Sequence, residues 1–369
     1  MSSPETAQDK ESEGDKIVSD KKAGSMLLAI LIGAAGGALF AWAKLPLPWM
    51  MGAMVATTIA AVSGLQIRME PRIRQSMVTI LGVMLGSAFS PELLGRLSEW
   101  FISISGLLVY ALTAGLAVTL YFRKVARFDP VTSYFASSPG GLNEMVIVGR
   151  EFGGDDRVIA LTHSARILLV VMIIPFLFRI FADLQPLPGM LPQGAPLSMP
   201  LQDWLYLGGC AVAGAALAKI TGSRVFFLMG PMLFSAIVHI AELTHASPPG
   251  ILVAAAQIAL GTGIGCRFAG TNVWELLRII RISIGSTIIL LAAGVGFGVA
   301  LEPLTGVPWF VLVLAYAPGG LAEMSLVALA LDRDVAFVAT HHIFRIAFIV
   351  VLAPLAFRLM RNMTGPKDG

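Results

Sequence analysis

Two glutamates, two histidines and two arginines recur inside apolar sequence at a constant offset, and ionisable groups are costly to place in hydrocarbon. Ser138 to Met145 reads Ser-Pro-Gly-Gly-Leu-Asn-Glu-Met, and Ala317 to Met324 reads Ala-Pro-Gly-Gly-Leu-Ala-Glu-Met. Glu144 and Glu323 are 179 positions apart (323 − 144), and the same offset pairs Asp155 with Asp334, His163 with His342 and Arg166 with Arg345. Carboxylate and imidazole are groups whose protonation the environment can bring near neutrality. The chemistry these residues could do is ion or proton binding, with the guanidinium groups holding the carboxylates or an anionic substrate. A sodium ion is an alternative occupant, held by freed carbonyls near Gly140 and Gly319 together with the carboxylates.

The turn itself is suited to a site. Pro139 and Pro318 end a helix that approaches them, because proline lacks the N–H and restricts the residue before it. Gly140 and Gly141, like Gly319 and Gly320, allow a tight reversal and a close approach to the main chain. A helix restarting after them presents free N–H groups with partial positive charge, and Glu144 and Glu323 fall in that first turn. The plainer role is a capping glutamate, or a buried Glu–Arg pair holding the half-helix; a pair that rearranges on protonation combines both. His163 and Arg166, and His342 and Arg345, are three apart and share a helix face. Asn143 is replaced by Ala322 and Thr162 by His341, so substrate asymmetry would be read at such departures.

The elements that position these residues are apolar runs. The chain is 56% hydrophobic and 13% charged over 369 residues, whereas soluble domains carry about 25% charged residues. We therefore expect an all-α polytopic membrane protein of two homologous, inverted repeats. Each repeat has about five transmembrane helices plus a Pro-Gly-Gly re-entrant or broken helix. The expected domains are a disordered cytoplasmic tail over 1–24, repeat 1 over 25–182, a proline-rich linker over 183–203, repeat 2 over 204–360 and a short tail over 361–369. If the Pro-Gly-Gly segments enter and return on one side, 20 of the 26 Lys and Arg collect inside with both termini, as the positive-inside rule prefers. Arg74 and Arg267 are among those placed in inner loops. An odd number of crossings per repeat inverts the second copy, an architecture recurrent in secondary transporters. Gly82 and Gly86 match Gly261 and Gly265 at spacing suited to close helix packing. The six tryptophans fall near segment ends, where interfacial anchors belong.

With these motifs in view, the chain resembles the bacterial AbrB-type membrane protein family, across nearly all of residues 26 to 360. The resemblance implies a bacterial inner-membrane protein. Members often carry the names ammonia monooxygenase or AbrB family transcriptional regulator, and the family looks related to inverted-repeat transporters. The leading expectation is a proton- or sodium-coupled secondary transporter of a small molecule. A membrane regulator affecting gene expression, and a membrane oxidoreductase or its subunit, are the alternatives. No catalytic residue, metal site or cofactor is assigned, since the five histidines offer no closed copper or iron set. The expected partners are the lipid bilayer, a small-molecule or ion substrate and a second copy of the chain. No nucleic acid is expected, because the basic residues form no single face.

Overall fold

The computed structural model describes residues 5–182 and 194–364, and every regular element among them is helical. The first half gives α1 (Glu5–Trp42), α2 (Pro48–Val62), α3 (Pro71–Gly86), α4 (Pro91–Arg96), α5 (Phe101–Tyr121), α6 (Pro130–Ser137), α7 (Leu142–Glu151) and α8 (Asp156–Phe181). The second gives α9 (Leu201–Thr221), α10 (Phe226–Ile240), α11 (Gly250–Gly265), α12 (Val273–Thr305), α13 (Trp309–Tyr316), α14 (Leu321–Ala330) and α15 (Val335–Thr364). The expected tail over 1–24, the linker over 183–203 and the tail over 361–369 fall largely outside the residues whose side chains are described.

Seven helical spans among the described residues are long and apolar enough to cross a bilayer: Ala23–Trp42, Phe101–Ala126, Asp156–Phe181, Leu201–Thr221, Gly250–Phe268, Val273–Thr305 and Val335–Leu359. Their outward faces carry leucine, isoleucine and phenylalanine, as at Leu112, Leu116 and Ile288, which suits lipid rather than water. This is a multi-pass membrane protein. The helices α2 and α10 are apolar but only 15 residues long, about 22 Å at 1.5 Å per residue, against a hydrocarbon core of about 30 Å.

Glycines set how these short helices pack. A Cβ at Gly82 or Gly86 of α3 would run into the carbonyls of Leu228 and Met232 on α10. A Cβ at Gly261 or Gly265 of α11 would run into the carbonyls of Met50 and Met54 on α2. Lipid tails are as apolar as side chains, so close backbone approach of this kind holds such helices together. The helix α1 packs on α2 through Gly36 and Gly52, and α9 packs on α10 through Gly214 and Gly230.

The Pro-Gly-Gly segments form two helical hairpins, α6–α7 and α13–α14. In the first, Thr132 near the start of α6 accepts a hydrogen bond from the Asp155 N–H at 2.8 Å, just beyond the end of α7. Phe135 and Phe152 stack with centroids 5.8 Å apart. In the second, the Arg333 guanidinium lies 5.2 Å over the Phe310 ring, joining the start of α13 to the end of α14. In each hairpin the start of the first arm therefore lies beside the end of the second. The arms of eight and ten residues are about 12 and 15 Å long, close to half the hydrocarbon thickness. Asp155 and Asp334 start the long helices that follow, accepting from the N–H groups of Val158 at 3.0 Å and Phe337 at 2.9 Å. Such caps stabilise a helix by about 1 kcal/mol.

One anchor differs from expectation. Trp42 and Trp274 are exposed, but Trp100 is buried. It packs edge-on against Phe337 of α15 at 5.4 Å, so its ring serves helix packing rather than the membrane interface.

Candidate functional site

The hairpin tips explain their own sequence. In each copy the first glycine faces the methionine five residues on: a Cβ at Gly140 would crowd Met145, and one at Gly319 would crowd Met324. Both methionines are fully buried. The second glycine lies under the glutamate three residues on, since a Cβ at Gly141 would overlap Glu144 Oε2 and one at Gly320 would overlap Glu323 Oε2. The carboxylate thus folds back over the start of α7 or α14, where the free N–H groups and the helix dipole favour negative charge.

Arg166 and Arg345 do not pair with these glutamates. Arg166 donates through Nη1 to the carbonyls of Ala136 and Ser137 and through Nη2 to Ser138. Arg345 donates to Tyr316 at 3.1 Å, to Ala317, and to Gly319 at 2.9 Å. These carbonyls end α6 and α13 and have no intrahelical partner. A planar fork of five donors is the side chain that can serve several at once.

The histidines complete the same clamp. His163 Nδ1 accepts from Arg166 Nη2 at 2.8 Å and His342 Nδ1 accepts from Arg345 Nη2 at 3.0 Å. Guanidinium only donates, so Nδ1 is unprotonated, and each Nε2–H donates to a carbonyl, Phe135 at 2.9 Å or Leu314 at 3.0 Å. Both nitrogens of each ring are used by the protein itself. No group of three or more His, Cys, Asp or Glu that could hold a metal occurs among the described residues.

A cavity of about 160 Å³ lies between the two tips. It brings together Gly140, Gly141, Asn143, His163, Arg166, Pro318, Gly319, Gly320, Glu323 and Arg345. Three expected residues stand elsewhere. Pro139 lines an apolar groove of about 660 Å³ with residues of α5 and α15. Glu144 is half-buried in an adjoining cleft of about 440 Å³. His342 is fully buried behind Arg345. The two glutamates are therefore not equivalent: Glu323 is buried in the cavity, and Glu144 is at its entrance.

Two cavity residues escaped the sequence reading. Arg74 on α3 and Arg267, just beyond α11, line both the cavity and the cleft. Arg74 Nε is buried without a hydrogen-bond partner, and its side chain crosses Gly263, where a Cβ would lie 2.8 Å from Arg74 Cδ. Glu323 acts electrostatically on both arginines, and Arg74 repels Arg267. The signal that could have found them is departure from the repeat: at the offset of 179, Arg74 matches Val253 and Arg267 matches Ala88.

The chain is 28% identical over 360 residues to "Uncharacterized protein YhjN" of Bacillus subtilis (strain 168), covering 92% of this chain and 94% of that one. It is 24% identical over 319 residues to "Putative regulator AbrB" of Escherichia coli (strain K12), covering 86% and 90%. Residues 49–361 match the family described as "Transition state regulatory protein AbrB". Because that match takes in all but the first helix and the ends, the chain belongs to the AbrB family.

Proposed function

We propose that the protein is a secondary transporter working by alternating access, built from two inverted repeats around a site at the hairpin tips. The observation that carries it is the convergence of both Pro-Gly-Gly turns and Glu323 on one cavity, since irregular backbone at membrane depth is tolerated only where it is covered by protein or lines a wet cavity.

The duplication is supported by element boundaries. Helices α3, α6, α7 and α8 begin at 71, 130, 142 and 156, and α11, α13, α14 and α15 begin 179 later, at 250, 309, 321 and 335. Inversion is supported by helix directions. Gly82 and Gly86 meet Leu228 and Met232, so α3 and α10 run parallel, and α11 runs parallel to α2 by the matching contacts. Gly263, late in α11, meets Arg74, early in α3, so those two run antiparallel. Each of these helices then opposes its counterpart in the other half.

The cleft continues from the cavity towards Arg68 and Arg224, which the charge distribution assigns to the inner side. It is the open half of an inward-facing state. The coupling ion in this proposal is a proton or a sodium ion, and Glu323 is the carboxylate of the cavity that would take part. The regulator name of the Escherichia coli relative fits a protein whose effect on expression follows from moving a metabolite.

The test is substrate-triggered current from proteoliposomes on a solid-supported membrane, screening metabolites, amines and ammonium under pH and sodium jumps. Current that is abolished in Glu323→Gln supports the proposal. Current of wild-type size in the Glu144→Gln, Glu323→Gln double variant removes the carboxylates from the mechanism.

A further inference from the structure

The charge in the cavity is unbalanced. Arg74, Arg166, Arg267 and Arg345 line it, and Glu323 is the acidic residue among its lining groups. Arg166 and Arg345 are buried and repel one another, as do Arg74 and Arg267. The two pairs differ in what they can offer. Arg166 and Arg345 spend their terminal nitrogens on the carbonyl ends of α6 and α13. Arg74 and Arg267 are not placed by a repeat-wide clamp; they sit where the cavity passes into the cleft. Uncompensated cations in a low-dielectric site call for an anion, and guanidinium binds carboxylate and phosphate oxygens in a two-pronged fashion.

We infer that the transported substrate is a small oxoanion, held between Arg74 and Arg267 at the tips of the two hairpins. This rests on the transporter proposal for the word "transported", and on the cavity alone for the binding. Glu323 is a tethered surrogate for part of that anion: it is the carboxylate that lines the cavity beside Arg74 and Arg267. An entering anion displaces that interaction and takes its place. The helices α7 and α14 both start at the cavity lining, and their free N–H groups add to the positive field. The volume of about 160 Å³ leaves room for a compact mono- or dicarboxylate or an inorganic oxoanion. The cleft that leads in is lined by Arg224, by Arg68, which pairs with Glu70 at 2.9 Å, and by Glu144.

The test is equilibrium binding by titration calorimetry on the purified full chain at one fixed pH, with acetate, pyruvate, succinate, citrate and phosphate. Currents from proteoliposomes are recorded for the same anions. Wild type is expected to bind at least one of these anions, and the anion bound identifies carboxylate or phosphate as the source. Arg74→Gln and Arg267→Gln are each expected to weaken binding at least tenfold. Glu323→Gln removes the surrogate and is expected to tighten binding several-fold, a gain that misfolding cannot imitate. Absence of oxoanion binding in wild type overturns the inference, as does unchanged affinity in both arginine variants or weakened affinity in Glu323→Gln. Binding without current supports the anion site and removes the transporter proposal. Current carried by an amine or ammonium, without oxoanion binding, leaves the transporter standing and overturns the anion site.

Discussion

Glu323 Oε2 occupies the space that a Cβ on Gly320 would need. The backbone at Gly320, with φ −76° and ψ 157°, is open to any L-residue, so the glycine is required for the carboxylate and not for the turn. Gly320→Ala is therefore expected to push the carboxylate off the start of α14 with little loss of stability. Transport should fall at least tenfold while the melting temperature of the purified protein changes by only a few degrees. A melting temperature that collapses together with transport would make the glycine structural instead.

Arg345 holds the end of α13 through three carbonyls and the His342 ring. Lysine keeps the charge but lacks the fork, leaving buried acceptors unpaired at about 1–3 kcal/mol each. Arg345→Lys is expected to lower thermal stability clearly, and His342→Phe to lower it less, because the arginine keeps its carbonyls. Thermal denaturation followed by size-exclusion chromatography measures both.

The proposed inversion is checked by side-specific labelling. Glu151, at the end of α7, and Asp332, after α14, mark the outer ends of the two hairpins and are exposed. In a background with Cys210 and Cys266 replaced, Glu151→Cys should react with a membrane-impermeant maleimide from the inside. Asp332→Cys should react from the outside. Labelling of both from one side would rule inversion out.

Helix packing gives a further expectation. A Cβ at Gly265 would lie 2.7 Å from the Thr58 nitrogen and 2.9 Å from the Met54 oxygen, and backbone atoms cannot swing away. Gly265→Leu should separate α11 from α2 and cost about 1–3 kcal/mol or more as overpacking. Gly208, with nothing near its Cβ position, should accept leucine with unchanged expression and monodispersity.

The sequence by itself determined the recurring Pro-Gly-Gly motif and the helix breaks at it. Proline and glycine interrupt helices locally, so Pro139 to Gly141 and Pro318 to Gly320 mark both hairpin turns without tertiary information. Apolar runs of membrane length are equally local, and so is the spacing that puts His163 beside Arg166. Tertiary structure decided which of these residues meet. Glu144 and Glu323 stand in the same motif, yet one faces a cleft and the other a cavity, because different helices pack beside each hairpin. Arg166 and Arg345 carry a charge that invites pairing with glutamate. Their partners are instead carbonyls at the ends of α6 and α13, which become neighbours only when each hairpin lies against the long helix that follows it. Arg74 and Arg267 read as loop cations, since nothing local distinguishes a guanidinium that snorkels to the surface from one that turns inward across Gly263. That choice depends on the close approach of α3 and α11, a contact between residues far apart in the chain.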